Sequence, residues 1–171
     1  MNTLVIAPVD ASPIAPSSSE AVLRSQLLKT AQQLDTLGLN RGTSGNVSAR
    51  VSSSYWLVTP SGVPVDKLSA KAMVLMDFEG KPASNGKPSS EWRFHHDILV
   101  GRSDVGAVVH THSRFATAFS CLQKDIPAFH YMIAAAGGDS IRCCPYALFG
   151  SQALSDLALK ALENQIGRAH V

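Results

Sequence analysis

The sequence contains only three cysteines in 171 residues. Two of them, Cys143 and Cys144, are adjacent, a spacing that does not readily close a disulfide. An odd count with an adjacent pair excludes a disulfide framework and points to reduced thiols in a cytoplasmic protein. Charge of one sign is also missing. The 15 Lys+Arg stand against 13 Asp+Glu, a formal net charge of +2. Neither sign clusters, so the footprint of a non-specific nucleic-acid binder or a polybasic membrane binder is absent. No apolar run approaches the ~18 residues that a spanning helix needs. The stretch Leu4 to Val9 is broken by Pro8 and has no basic residue before it, so it does not read as an export signal. Neither nucleic acid nor membrane is expected as a partner. What is present is a globular composition, 45% hydrophobic and 16% charged. The length suits one domain with a real core and not two.

Pro8, Pro13 and Pro16 lead us to expect a flexible leader over residues 1–16, without a regular element. Ser17 and Glu20 have capping-box spacing. Leucines and valines from Val22 to Leu37 then recur near helical period, and Gly38 stands where a C-terminal cap belongs, which predicts a helix over about 18–37. The loop Asn40 to Asn46 carries two glycines. Val47–Val51 and Tyr55–Val58 read as strands around a serine turn. Thr59-Pro60-Ser61-Gly62 is a further turn. Ser89–Leu99 reads as a helix capped by Ser89 or Ser90 with Glu91 in its first turn. A strand at Val105–His112, helices at Arg114–Leu122 and Ser151–Asn164, and a short helical stretch at His130–Ala136 complete the pattern. Alternating helices and strands predict an α/β domain over residues 17–165, one sheet covered by helices.

Six histidines carry most of the chemistry. In His110-Thr111-His112, residues i and i+2 of a strand share a face, so the imidazoles converge. Two imidazoles and a carboxylate can hold a divalent transition metal, although strand histidines are also often merely packed. Pro88-Ser89-Ser90-Glu91 places hydroxyls and free N–H groups at a helix start, which is either an anion site or an ordinary acidic cap. Gly42-Thr43-Ser44-Gly45-Asn46 can cradle phosphate oxygens or simply turn; it lacks the G-K-[ST] ending of a P-loop. His95, four residues after Glu91, suits a packing or hydrogen-bonding role. His96 is expected to face solvent. Trp92 and Phe94 are expected in the core, and the cysteine pair is expected to stay out of metal binding.

Taken together, these segments resemble the class II aldolase/adducin family. The matching runs are Gly38 to Ser48, Thr59 to Pro64, Pro88 to His95, Ala107 to His112, Ile126 to Gly138 and Pro145-Tyr146-Ala147, in order between about Leu27 and Asn164. The resemblance implies a three-layer domain with a central, mainly antiparallel sheet. It implies Zn2+, one per subunit, held by Glu91, His110, His112 and a third histidine. It implies a substrate phosphate held by Thr43, Asn46, Ser61, Gly62, Ser89 and Ser90. Glu91 would also act as the catalytic base, and Tyr131, from a neighbouring subunit, as the proton donor; His130 could line that boundary. The expected activity is retro-aldol cleavage of a ketose 1-phosphate of the L-fuculose 1-phosphate type to dihydroxyacetone phosphate and an aldehyde, in a homotetramer with intersubunit active sites.

Two alternatives stand beside that reading. A pentulose-phosphate 4-epimerase of the same family uses retro-aldol chemistry and resembles His110 to Arg114 well. It carries aspartate where Glu91 stands, and lacks the run from His130 to Gly138. An adducin-like, non-catalytic interaction module would have lost the metal ligands. The family's third histidine lies beyond the last helix, outside this chain. Ile166-Gly167-Arg168-Ala169-His170-Val171 follows no family pattern and reads as one frame of a sequencing-library adapter. We therefore expect residues 166–171 to be a non-native tail that leaves the helix and lies on the surface, with His170 far from the other histidines.

Overall fold

Strand alternation decides where the two layers of core form. The computed structural model describes residues 3–8, 20–163, 165 and 168–170. Its elements run β1 (Thr3–Pro8), α1 (Glu20–Thr36), β2 (Asn46–Arg50), β3 (Tyr55–Val58), β4 (Val74–Asp77), α2 (Trp92–Gly101), β5 (Val105–Thr111), α3 (Arg114–Cys121), a 3-10 turn (Tyr131–Ala136), α4 (Gln152–Leu162) and β6 (Arg168–His170). On β3, Trp56 and Val58 join one buried cluster while Leu57 joins the other. The first cluster adds Val74 and Met76 of β4, Val108 of β5, Phe94, Ile98 and Leu99 of α2, and Leu154 and Leu162 of α4. The second packs Leu27 and Leu34 of α1 against Val47 and Ala49 of β2. This is an α/β domain in which one sheet lies between two helical layers. Fully burying a side chain such as Leu57 contributes about 1.5–3 kcal/mol, and side chains of this kind are buried on both faces of the sheet.

The sheet order is β4-β3-β2-β5-β1-β6, and every pair is antiparallel. The β2/β5 register sets Asn46 opposite His110 and Ser48 opposite Val108. Directly opposed residues point to the same face. Asn46, Ser48 and His110 therefore all face the layer that contains α2.

Most elements fall close to the sequence expectations, with several corrections. Residues 1–16 are not without a regular element: Thr3–Pro8 pairs with β5 along its length. Pro8 is tolerated because it sits at the strand's end, where the register shifts. The Ser17 capping box lies outside the described residues. Helix α2 begins at Trp92 with Glu91 as its N-cap residue, so neither Ser89 nor Ser90 caps it. Instead Ser89 Oγ accepts from the Glu91 N–H at 3.2 Å, closing a local turn. In the tail, Arg168–His170 pairs with β1 as the sheet's last strand. Thr3 stands between Thr111 and His170, so the His170 backbone lies two strands from β5, about 10 Å by ordinary strand spacing. His96 does not face solvent. Its ring is 18% exposed, set among Trp56, Phe78 and Trp92, with Nδ1 2.6 Å from Asp97 Oδ1 and Nε2 3.0 Å from the Phe78 carbonyl.

Candidate metal centre and anion cleft

Three loops meet at the carboxyl end of β5. The Ser61 N–H donates to the Lys87 carbonyl at 2.9 Å, and the Ser89 N–H donates to the Thr59 carbonyl at 3.0 Å. Thr59 in turn exchanges hydrogen bonds with Val47 at the start of β2. These bonds lay the turn at 59–62 and the segment 87–91 against the glycine loop that precedes β2. Gly45 is needed in that loop: its φ is +74°, and a Cβ there would stand 2.2 Å from the Asn40 side chain. Asn40 is buried, and its Oδ1 accepts from the His112 N–H at 3.0 Å. Sequence reading gave Asn40 no role of its own, yet it braces both the loop and a histidine of the site.

The result is a cleft of about 400 Å³. Thr43, Asn46, Ser61, Gly62, Ser89 and Ser90 all line it, together with Glu91 and His112. The six residues expected from the resemblance to hold phosphate thus converge from three separate segments. An apolar part of the lining is Tyr146, Ala147, Phe149 and Leu154. Of these, Tyr146 and Ala147 belong to the family-like run Pro145-Tyr146-Ala147, to which the sequence assigns no role, and Leu154 belongs to α4. Gly150, at φ +71°, lets this part of the lining approach: a Cβ there would come within 2.5 Å of the Ser90 carbonyl oxygen.

At one end of the cleft, donor atoms of Glu91, His110 and His112 lie within 4.8 Å of one another. Glu91 and His110 are buried. Glu91 Oε2 is 3.3 Å from His110 Nε2, although neither ring nitrogen of His110 has a well-formed hydrogen bond among the described residues. Burial would raise the Glu91 carboxyl, but the His110 ring and the Asn46 amide outweigh it and hold the group at about 2. Burial lowers His112 to about 4, with His110 acting in the same direction and Glu91 against it. At neutral pH the cluster therefore offers a carboxylate and an uncharged His112 imidazole, the protonation states that metal binding needs. A tetrahedral site with bonds near 2.05 Å has ligand atoms roughly 3.3 Å apart, the separation already present between Glu91 and His110. The donor set fits a zinc-like divalent ion.

Behind the cluster, His95 is fully buried. Its Nδ1 faces Ser48 Oγ at 2.7 Å and its Nε2 faces Asn46 Oδ1. Asn46 Nδ2 donates to Glu91 Oε2 at 2.9 Å. Burial, reinforced by His110 and opposed by Glu91, lowers His95 to about 3. Tyr131 is 78% exposed and does not line the cleft. His130 is also exposed and accepts from the Met132 N–H through Nδ1.

The sequence profile of the Class II Aldolase and Adducin N-terminal domain matches residues 25–171, and the chain belongs to that family. It is 52% identical over 147 residues to the 5-methylthioribulose-1-phosphate/5-deoxyribulose-1-phosphate aldolase of Rhodospirillum rubrum, covering 86% of this chain and 66% of that protein. It is 48% identical over 143 residues to the L-fuculose phosphate aldolase of Escherichia coli strain K12, covering 84% and 66%. A solved L-fuculose 1-phosphate aldolase superposes with a TM-score of 0.80 at 34% identity, covering 87% of this chain and 70% of that one. The chain thus spans 66% of the length of these two curated relatives. No described helix is long and apolar enough to cross a membrane.

Proposed function

We propose that the protein is a zinc-dependent class II aldolase that cleaves a ketose 1-phosphate to dihydroxyacetone phosphate and an aldehyde. The observation that carries this reading is the Glu91, His110 and His112 cluster at the end of a hydroxyl- and amide-lined cleft. Thr43, Asn46, Ser61, Gly62, Ser89 and Ser90 hold the phosphate, as the glycine backbone and serine hydroxyls suit. Glu91, His110 and His112 hold the metal, which when bound supplies positive charge against the enediolate that develops. In cleavage the bond between C3 and C4 breaks, and its electron pair passes to the side bearing the carbonyl. The C4 hydroxyl gives up its proton to solvent by way of Tyr131, and Glu91 takes up a proton from solvent and delivers it to the C3 carbanion; in condensation Glu91 removes that C3 proton instead. Tyr131 of a neighbouring subunit handles the proton on the aldehyde oxygen, and we take the working unit to be a cytoplasmic homotetramer, as the family resemblance implies. The exposed position of Tyr131 supports a role across a subunit boundary.

The aldehyde end divides two substrates. L-Fuculose 1-phosphate is the first. A 5-deoxy or methylthio ribulose 1-phosphate is favoured by the 52% identical relative and by the apolar wall of Tyr146, Phe149 and Leu154. The retained donor cluster argues against a non-catalytic module, and glutamate at position 91 argues against the 4-epimerase. The test is release of dihydroxyacetone phosphate from each sugar phosphate by zinc-loaded protein, with Glu91→Gln as the control. Release that depends on zinc and Glu91 is expected. No release from any ketose 1-phosphate at full zinc loading rejects the proposal.

A further inference from the structure

We infer that His95 is a positioning residue: it fixes the orientation of the Asn46 amide so that the NH2 group faces the Glu91 carboxylate. The metal role given to that carboxylate rests on the function proposed above; the orientation itself rests on geometry alone.

Four groups form a buried line: Ser48, His95, Asn46 and Glu91. A carboxylate accepts hydrogen bonds, so the Asn46 atom 2.9 Å from Glu91 Oε2 must be nitrogen. The amide oxygen is then left facing His95 Nε2, which must carry a hydrogen in either protonation state of the ring. In the neutral ring Nδ1 is the acceptor, and the Ser48 hydroxyl donates to it. Every donor in the line therefore points the same way, from Ser48 through His95 and Asn46 to Glu91.

Without the ring, only the Glu91 carboxylate distinguishes the two ends of the Asn46 amide, and the amide oxygen loses its buried donor. A flipped amide would aim its oxygen at the Glu91 carboxylate, acceptor against acceptor, and push the carboxylate from its place 3.3 Å from His110 Nε2. The same flip would alter the cleft, because Asn46 lines it. With Oδ1 committed to His95 and one hydrogen to Glu91, the amide has one N–H left for an anion. A single substitution at His95 should therefore disturb both metal affinity and the KM for phosphorylated substrate.

The first measurement needs no variant and no metal. Long-range 1H–15N spectra of the metal-free chain should show His95 as the Nε2–H tautomer with an unprotonated, hydrogen-bonded Nδ1. The Nδ1–H tautomer would reverse the line and overturn the inference. The second measurement is zinc affinity by competition with a chromophoric chelator. His95→Leu should weaken binding 10–100-fold, the usual effect of removing an outer partner of a metal ligand. His95→Gln, whose amide can donate to Asn46 and accept from Ser48, should return affinity to within about threefold, by the same reasoning. Equal losses in both variants would show that the ring only packs, and no loss in His95→Leu would show that Asn46 needs no guide; either result overturns the inference. Should His95→Leu fail to fold, the tautomer and the His95→Gln affinity decide. A wild-type chain that binds no zinc but shows the Nε2–H tautomer would overturn the metal reading and leave the orientation supported.

Discussion

Gly150→Ala tests how the apolar wall is seated on the serine turn. Two costs arise at this position. The first is backbone strain, because φ is +71° and a Cβ in the left-handed region costs about 1–2 kcal/mol. The second is steric. The new Cβ would stand 2.5 Å from the Ser90 carbonyl oxygen, about 1 Å inside ordinary heavy-atom contact. That neighbour is backbone and cannot swing away as a side-chain tip would. Overpacking of this kind costs about 1–3 kcal/mol. If the turn holds, the sum is a loss of about 2–5 kcal/mol in unfolding free energy. If the turn yields, Ser89, Ser90 and Glu91 shift by about 1 Å, a displacement able to cost about 100-fold in activity. Gly38→Ala is the control, since φ is +68° there with no atom within 4 Å of the new Cβ. It should show the strain alone. Urea unfolding and zinc competition on both variants separate the two costs. A Gly150→Ala protein no less stable than Gly38→Ala, with unchanged zinc affinity, would refute the reasoning.

Two further outcomes follow from the same geometry. His95 is lowered to about 3 from 6.5 and Glu91 to about 2 from 4.5, so metal-free stability should be full above pH 6.5 and fall as the unfolded chain takes up protons that folded His95 refuses, with Glu91 adding to the loss below pH 4.5. Unfolding free energies in the presence of a chelator that stay flat from pH 7 to pH 4 would contradict those shifts. Tyr131→Phe should lower kcat while leaving zinc content unchanged and stability within about 0.5 kcal/mol, as suits an exposed side chain; undiminished turnover would remove Tyr131 from the reaction.

What the sequence makes legible follows the range of the interaction involved. Period and turn chemistry act within a few residues, and they place α1, β2, β3, α3 and α4 to within a residue or two of their observed bounds. The His110/His112 pair is legible for the same reason, since a strand sets its own side-chain alternation. Pro8 misleads because proline excludes a ladder hydrogen bond only where the ladder needs one, and at the end of β1 it does not. His96 misleads because its polarity suggests water, whereas its ring packs among aromatic side chains with Asp97 and the Phe78 carbonyl as acceptors beside its nitrogens. Asn40 and His95 lie further from sequence logic. The spacing of His95 from Glu91 says that both share a helix face, but not what that face meets. The answer is fixed by the pairing of Asn46 with His110 across β2 and β5, a contact between residues 64 apart by number. Register of this kind is set by both strands together with the helix that covers them. The groups that bear the proposed chemistry can therefore be named from the chain, while the groups that aim them become visible only once the sheet is assembled.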